Sequence, residues 1–167
     1  VYGLSTQELA VPPAIAFLGS GVGAPFAGWV SGRLIARGWQ PMRVRYTVML
    51  VSALLVAPVP IVLQVDSFWA VAIMMGVVLA GHQGFSLSIF ATITDVVPRS
   101  KVGRVTAFGA FCGNLGGMAI VWITGVVLDA ELGFLPLFIF AGMSYLLALA
   151  WLRTVMPRQP EVKAAAV

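Results

Sequence analysis

The sequence predicts an all-α integral membrane fold of five transmembrane helices, and three observations carry that prediction. Of 167 residues, 60% are hydrophobic and 10% charged, with a mean hydropathy of +0.98. Soluble domains carry about 25% charged residues, because a globular surface needs a polar skin. The apolar residues gather into five runs, at 11–32, 46–65, 68–94, 105–128 and 134–152, each at least 19 residues long. About 20 helical residues, rising roughly 1.5 Å each, span a hydrocarbon core about 30 Å thick. Finally, Lys and Arg occur only in alternate connectors.

The first run carries Gly19, Gly21, Gly23 and Pro25, followed by Gly28 and Gly32. Arg33, Arg37, Arg43 and Arg45 separate it from the second run, where Pro58 and Pro60 each remove a backbone donor and are expected to bend the helix. A tight turn at Asp66 leads into the third run, and Arg99, Lys101 and Arg104 follow it. In the fourth run Gly109, Gly113 and Gly117 recur every four residues and define one face, the pattern that lets two helix backbones approach closely. A second tight turn at 129–133 precedes the fifth run, after which come Arg153, Arg158 and Lys163.

All ten basic residues thus fall on one side, whereas Glu8, Asp66, Asp129 and Glu131 fall on the other. The positive-inside rule predicts a cytoplasmic C-terminus and an external start. Residues 1–156 read as one membrane unit and 157–167 as a cytoplasmic tail. The chain opens at Val1 with no signal-peptide pattern, as expected for a piece of a longer polypeptide.

Polar groups inside hydrocarbon are costly and point into a bundle or a wet cavity. In Gly81-His82-Gln83-Gly84-Phe85-Ser86, His82 falls about 20 Å from either end of its run, near the midplane. Phe85 and Ser86 share its helical face, and Gln83 lies at the edge of that face. Asn114 reaches a comparable depth on the fourth helix. Two readings stay open for these residues: hydrogen bonds between helices, or the lining of a substrate cavity. No Asp, Glu, Lys or Arg falls inside a span; Asp95 stands at the end of the third run. One His and one Cys, Cys112, leave no ligand set for a metal. The absence of a nucleophile triad or phosphate loop argues against an enzyme, and the clustering of basic residues between apolar runs argues against nucleic acid.

Gly28-Trp29-Val30-Ser31-Gly32-Arg33-Leu34-Ile35-Ala36-Arg37-Gly38-Trp39 resembles the cytoplasmic connector motif of the major facilitator superfamily. The stretch from Gly81 to Ser86, then Asp95-Val96-Val97-Pro98-Arg99 and Gly113-Asn114-Leu115-Gly116-Gly117, resembles its anion:cation symporter branch, especially the hexuronate and sugar-acid transporters. The resemblance implies that the five helices are the eighth to twelfth of a twelve-helix fold built of two six-helix halves. It also implies that the missing N-terminal helices carry the acidic coupling residue and a basic clamp for the substrate carboxylate. Gly32 stands where the motif has Asp, which leaves Arg33 and Arg37 as topology anchors and lipid-headgroup contacts.

The function so implied is proton-coupled symport of a small organic anion, such as a hexuronate, in a bacterial inner membrane. His82, Gln83, Phe85, Ser86 and Asn114 would line the substrate site, with Phe85 stacking on the sugar. Gly28, Arg33, Arg37 and Gly38 would form the connector, and Gly109, Gly113 and Gly117 the helix-packing face. Two alternatives stand beside it: a non-transporting, truncated or partner-dependent membrane protein, and an exporter of amphipathic compounds from the same superfamily.

Overall fold

The computed structural model describes residues 11–156; Glu8, Arg158, Lys163 and the tail expected at 157–167 lie outside the described residues. The elements are α1 (Val11–Ala36), α2 (Pro41–Val56), a 3-10 segment (Val59–Gln64), α3 (Phe68–Val96), α4 (Arg99–Asp129) and α5 (Leu135–Val155). With α2 and the 3-10 segment counted as one span, five helical spans among the described residues are long and apolar enough to cross a membrane.

Several helices run past their apolar stretches: α1 reaches Ala36, α2 begins at Pro41 and α4 begins at Arg99. Backbone hydrogen bonding does not stop where hydropathy falls, and Arg and Lys are good helix formers. The second span is interrupted rather than merely bent. Pro58 and Pro60 have no N–H to give to the α-ladder, so α2 stops at Val56 and the chain tightens into the 3-10 segment, where the Ile61 N–H donates to Pro58 O at 2.9 Å. Two helix ends share one capping geometry. Gly38 (φ 85°) closes α1, with Gly38 N–H donating to Ile35 O and Trp39 N–H to Leu34 O. Glu131 (φ 57°) closes α4 in the same way through Leu128 O and Val127 O. Both are Schellman motifs, which require a left-handed residue after the helix.

α3 is the spine of the bundle. Along α1, Gly19, Gly23 and Ala27 meet Gly76, Ala80 and Gly84 of α3 in equal steps of four, so α1 and α3 run parallel. A side chain on Gly19 or Gly23 would overlap the backbone of α3. On another face of α3 the antiparallel α2 closes in, and a Cβ on Gly81 would lie 2.8 Å from Ser52 O. α5 then docks on α2, where a Cβ on Gly142 would lie 2.8 Å from Ala57 O. Two apolar clusters fill the gaps: Ala27, Val44 and Val48 against Val30, Leu34, Ile35 and Leu87, and Met49, Ala53 and Phe85 against Tyr145, Leu146, Leu149 and Leu152.

α4 stands apart and has no buried residue. Gly109, Gly113 and Gly117, expected to pack a helix, face open space with nothing within 4 Å among the described residues. The close helix contacts are made instead by the small residues of α1, α3 and α5. The helix directions gather Arg33, Arg37, Arg43, Arg45, Arg99, Lys101, Arg104 and Arg153 at one end of the bundle, with Asp66, Asp129 and Glu131 at the other.

Candidate functional site

His82 is the midpoint of α3, fourteen residues from Phe68 and fourteen from Val96, or about 21 Å of helix each way. Its Nδ1 lies 2.6 Å from the hydroxyl oxygen of Tyr145, which is itself the midpoint of α5. The Tyr145 ring stands edge-on to Phe85, with centroids 5.1 Å apart at 88°, and edge-on to His82, with centroids 6.0 Å apart at 87°. Phe85 is 5% exposed and belongs to the α2–α3 core beside Met49 and Ala53. The α2–α3 core therefore fixes the Tyr145 ring, and that ring brings its hydroxyl to His82.

Two cavities open beside this pair. One, of about 590 Å³, lies between α3, α4, α5 and the 3-10 segment; His82, Tyr145, Ser144 and Thr124 are its polar residues, against apolar walls that include Val78 and Phe138. The other, of about 300 Å³, is a cleft between α3 and α5 lined by His82, Phe85, Ser86, Ser144 and Tyr145. Among the described residues, no Asp, Glu, Lys or Arg lines either.

The structure thus brings His82, Phe85 and Ser86 together but leaves Gln83 and Asn114 off both cavities. Gln83 is half-buried one step round α3. The Asn114 amide donates to Ala110 O of its own helix at 2.8 Å, an i−4 bond within α4. Phe85 differs from expectation as well. Its burial removes the open ring face that would stack on a sugar. Of the two readings open for His82, the bond between helices is made, and the same residue also faces the cavities.

Sequence reasoning missed Tyr145 and Ser144, whose signal was a phenol and a hydroxyl midway along an otherwise apolar run. It also missed the partner of Asp95. Arg45 Nε donates to Asp95 Oδ2 at 3.0 Å, joining the start of α2 to the end of α3. An acid at the edge of a basic connector was the clue. In the connector itself Arg33 lies over the Trp29 ring, 4.0 Å from its centroid. Gly38 caps α1, Arg37 is exposed, Gly28 passes near Leu87, and Gly32 faces open space. Among the described residues, Arg45–Asp95 is the ion pair at this basic end of the bundle.

The model of the Major Facilitator Superfamily matches residues 1–167. The chain belongs to the major facilitator superfamily. Its five spanning segments fit the multi-pass membrane architecture of that family. It is also 29% identical, over 129 residues, to a probable nitrate/nitrite transporter of Mycobacterium tuberculosis, found in two strains. The match takes in 77% of this chain and 31% of the relative, so the chain spans about a third of that protein. No solved structure matches at a significant level.

Proposed function

We propose that the chain is the C-terminal part of a secondary transporter that moves a small anion together with a proton by alternating access, a sugar acid such as a hexuronate being the substrate. The observation that carries this reading is the His82–Tyr145 pair, which sits at the midpoints of two spanning helices and faces a cavity of about 590 Å³. Midplane polar groups on a cavity are where such transporters hold substrate. A volume in the range of about 300–1,000 Å³ suits a small molecule. The neighbouring Ser144, Thr124 and Ser86 hydroxyls can pair with sugar hydroxyls, while the apolar walls take the ring.

Among the described residues no charged side chain lines the cavity, so on this reading the clamp for the anion's charge and the coupling carboxylate come from other helices of the transporter. The bare faces of α4 fit such a completed assembly, with its Gly109, Gly113 and Gly117 stripe laid against those helices. The basic end of the bundle is then cytoplasmic, in an inner membrane.

A second reading, nitrate or nitrite as the substrate, is favoured by the relative's name. Uptake by the full-length protein reconstituted in lipid vesicles separates the two. Labelled glucuronate accumulating under an inward proton gradient, with nitrate failing to compete, supports the sugar-acid reading. Nitrate uptake without glucuronate uptake replaces it, and accumulation that ignores the gradient removes proton coupling.

A further inference from the structure

We infer that Tyr145 is a positioning residue whose hydroxyl donates to Nδ1 of His82, leaving Nε2–H as a neutral hydrogen-bond donor for an oxygen of the transported anion. This rests on the anion reading above and deepens it by naming the group that meets the substrate. A phenol is a strong donor, and the bare nitrogen of neutral imidazole is a strong acceptor. The 2.6 Å separation is that of a well-formed bond. Were the proton on Nδ1 instead, the phenol oxygen would accept it, and the phenol's own proton would need another acceptor. The Tyr145 hydroxyl has no second partner among the described residues.

With Nδ1 covered by Tyr145, Nε2 is the polar atom His82 has left for a ligand, and His82 lines both cavities. The pose is held from behind. Tyr145 rests edge-on against Phe85, and Phe85 is locked beside the fully buried Met49 and Ala53. An N–H in a cavity of mostly apolar walls bonds more strongly than one in water. Among the described residues lining the two cavities, Tyr145 is the one ionisable side chain besides His82.

The test uses the full-length transporter in lipid vesicles, labelled with ¹⁵N-histidine, with the His82 signals assigned by their loss in His82→Gln. The expected native spectrum has the proton on Nε2 and a hydrogen-bonded, unprotonated Nδ1. Tyr145→Phe keeps the ring and its contact with Phe85. It should move the Nδ1 signal to that of a free nitrogen and raise KM for the anion about three- to tenfold, with the maximal rate unchanged. In the His82→Gln background the same substitution should leave KM unaltered, because no imidazole remains to be oriented. A native proton on Nδ1 overturns the inference, as does a Tyr145→Phe protein with the native Nδ1 signal and the native KM. Failure of the native protein to take up any anion removes the transport reading instead, and the spectrum still decides the tautomer.

Discussion

The hydroxyl of Tyr145 lies 2.6 Å from Nδ1 of His82, and the two residues are the midpoints of α5 and α3. Each polar group gives the other a hydrogen-bond partner at mid-helix depth, where such partners are scarce. Two helices that share little other polar contact are thereby fixed in depth relative to each other. The pair faces the cavity of about 590 Å³, which makes one bond serve both the seam and the site.

The α1–α3 seam depends on particular glycines rather than on glycine content. Gly23→Val would drive a side chain into the Ala80 backbone and should destabilise the fold by about 1–3 kcal/mol. Gly21→Val, one half-turn away in open space, should change stability by less than about 0.5 kcal/mol. Both are read from the folded fraction of the full protein across a denaturing-detergent titration. Equal losses from the two substitutions would contradict this packing.

Arg45–Asp95 is a partly shielded pair, with side-chain exposures of 16% and 30%. Pairs of this kind contribute about 0.2–1 kcal/mol, and salt screens them. A double-mutant cycle with Arg45→Met and Asp95→Asn should give a coupling of about 0.5–1 kcal/mol at low ionic strength, shrinking at high salt. A coupling of zero at low salt would show that the two charges act separately.

Glu131 occupies the left-handed position of the α4 cap, at φ 57°, where a residue with a Cβ is strained. Gly38 fills the equivalent place after α1. Glu131→Gly should therefore stabilise the protein by up to about 1 kcal/mol, and Gly38→Ala should cost about the same. Thermal midpoints in detergent micelles, shifting in opposite directions for the two variants, check this.

The five spans, the division between a basic and an acidic end, and the midplane position of His82 are legible in the sequence. Each follows from how long an apolar run is and where its charges fall, and those are local quantities. The break of the second span was half visible: Pro58 and Pro60 announced a bend, but only the backbone shows the ladder ending at Val56 and tightening to a 3-10 turn.

Which residues touch was decided by tertiary structure, because contact depends on how far each helix is rotated and slid against its neighbours. The regular stripe at Gly109, Gly113 and Gly117 looks like the best packing face in the sequence, yet it faces open space. Gly19 and Gly23 are pressed against Gly76 and Ala80, fifty-seven positions further on. Helix periodicity tells which residues share a face, and Phe85 does share one with His82. It could not tell that α2 would bury Phe85 or that Tyr145, sixty-three residues beyond His82, would arrive opposite the imidazole.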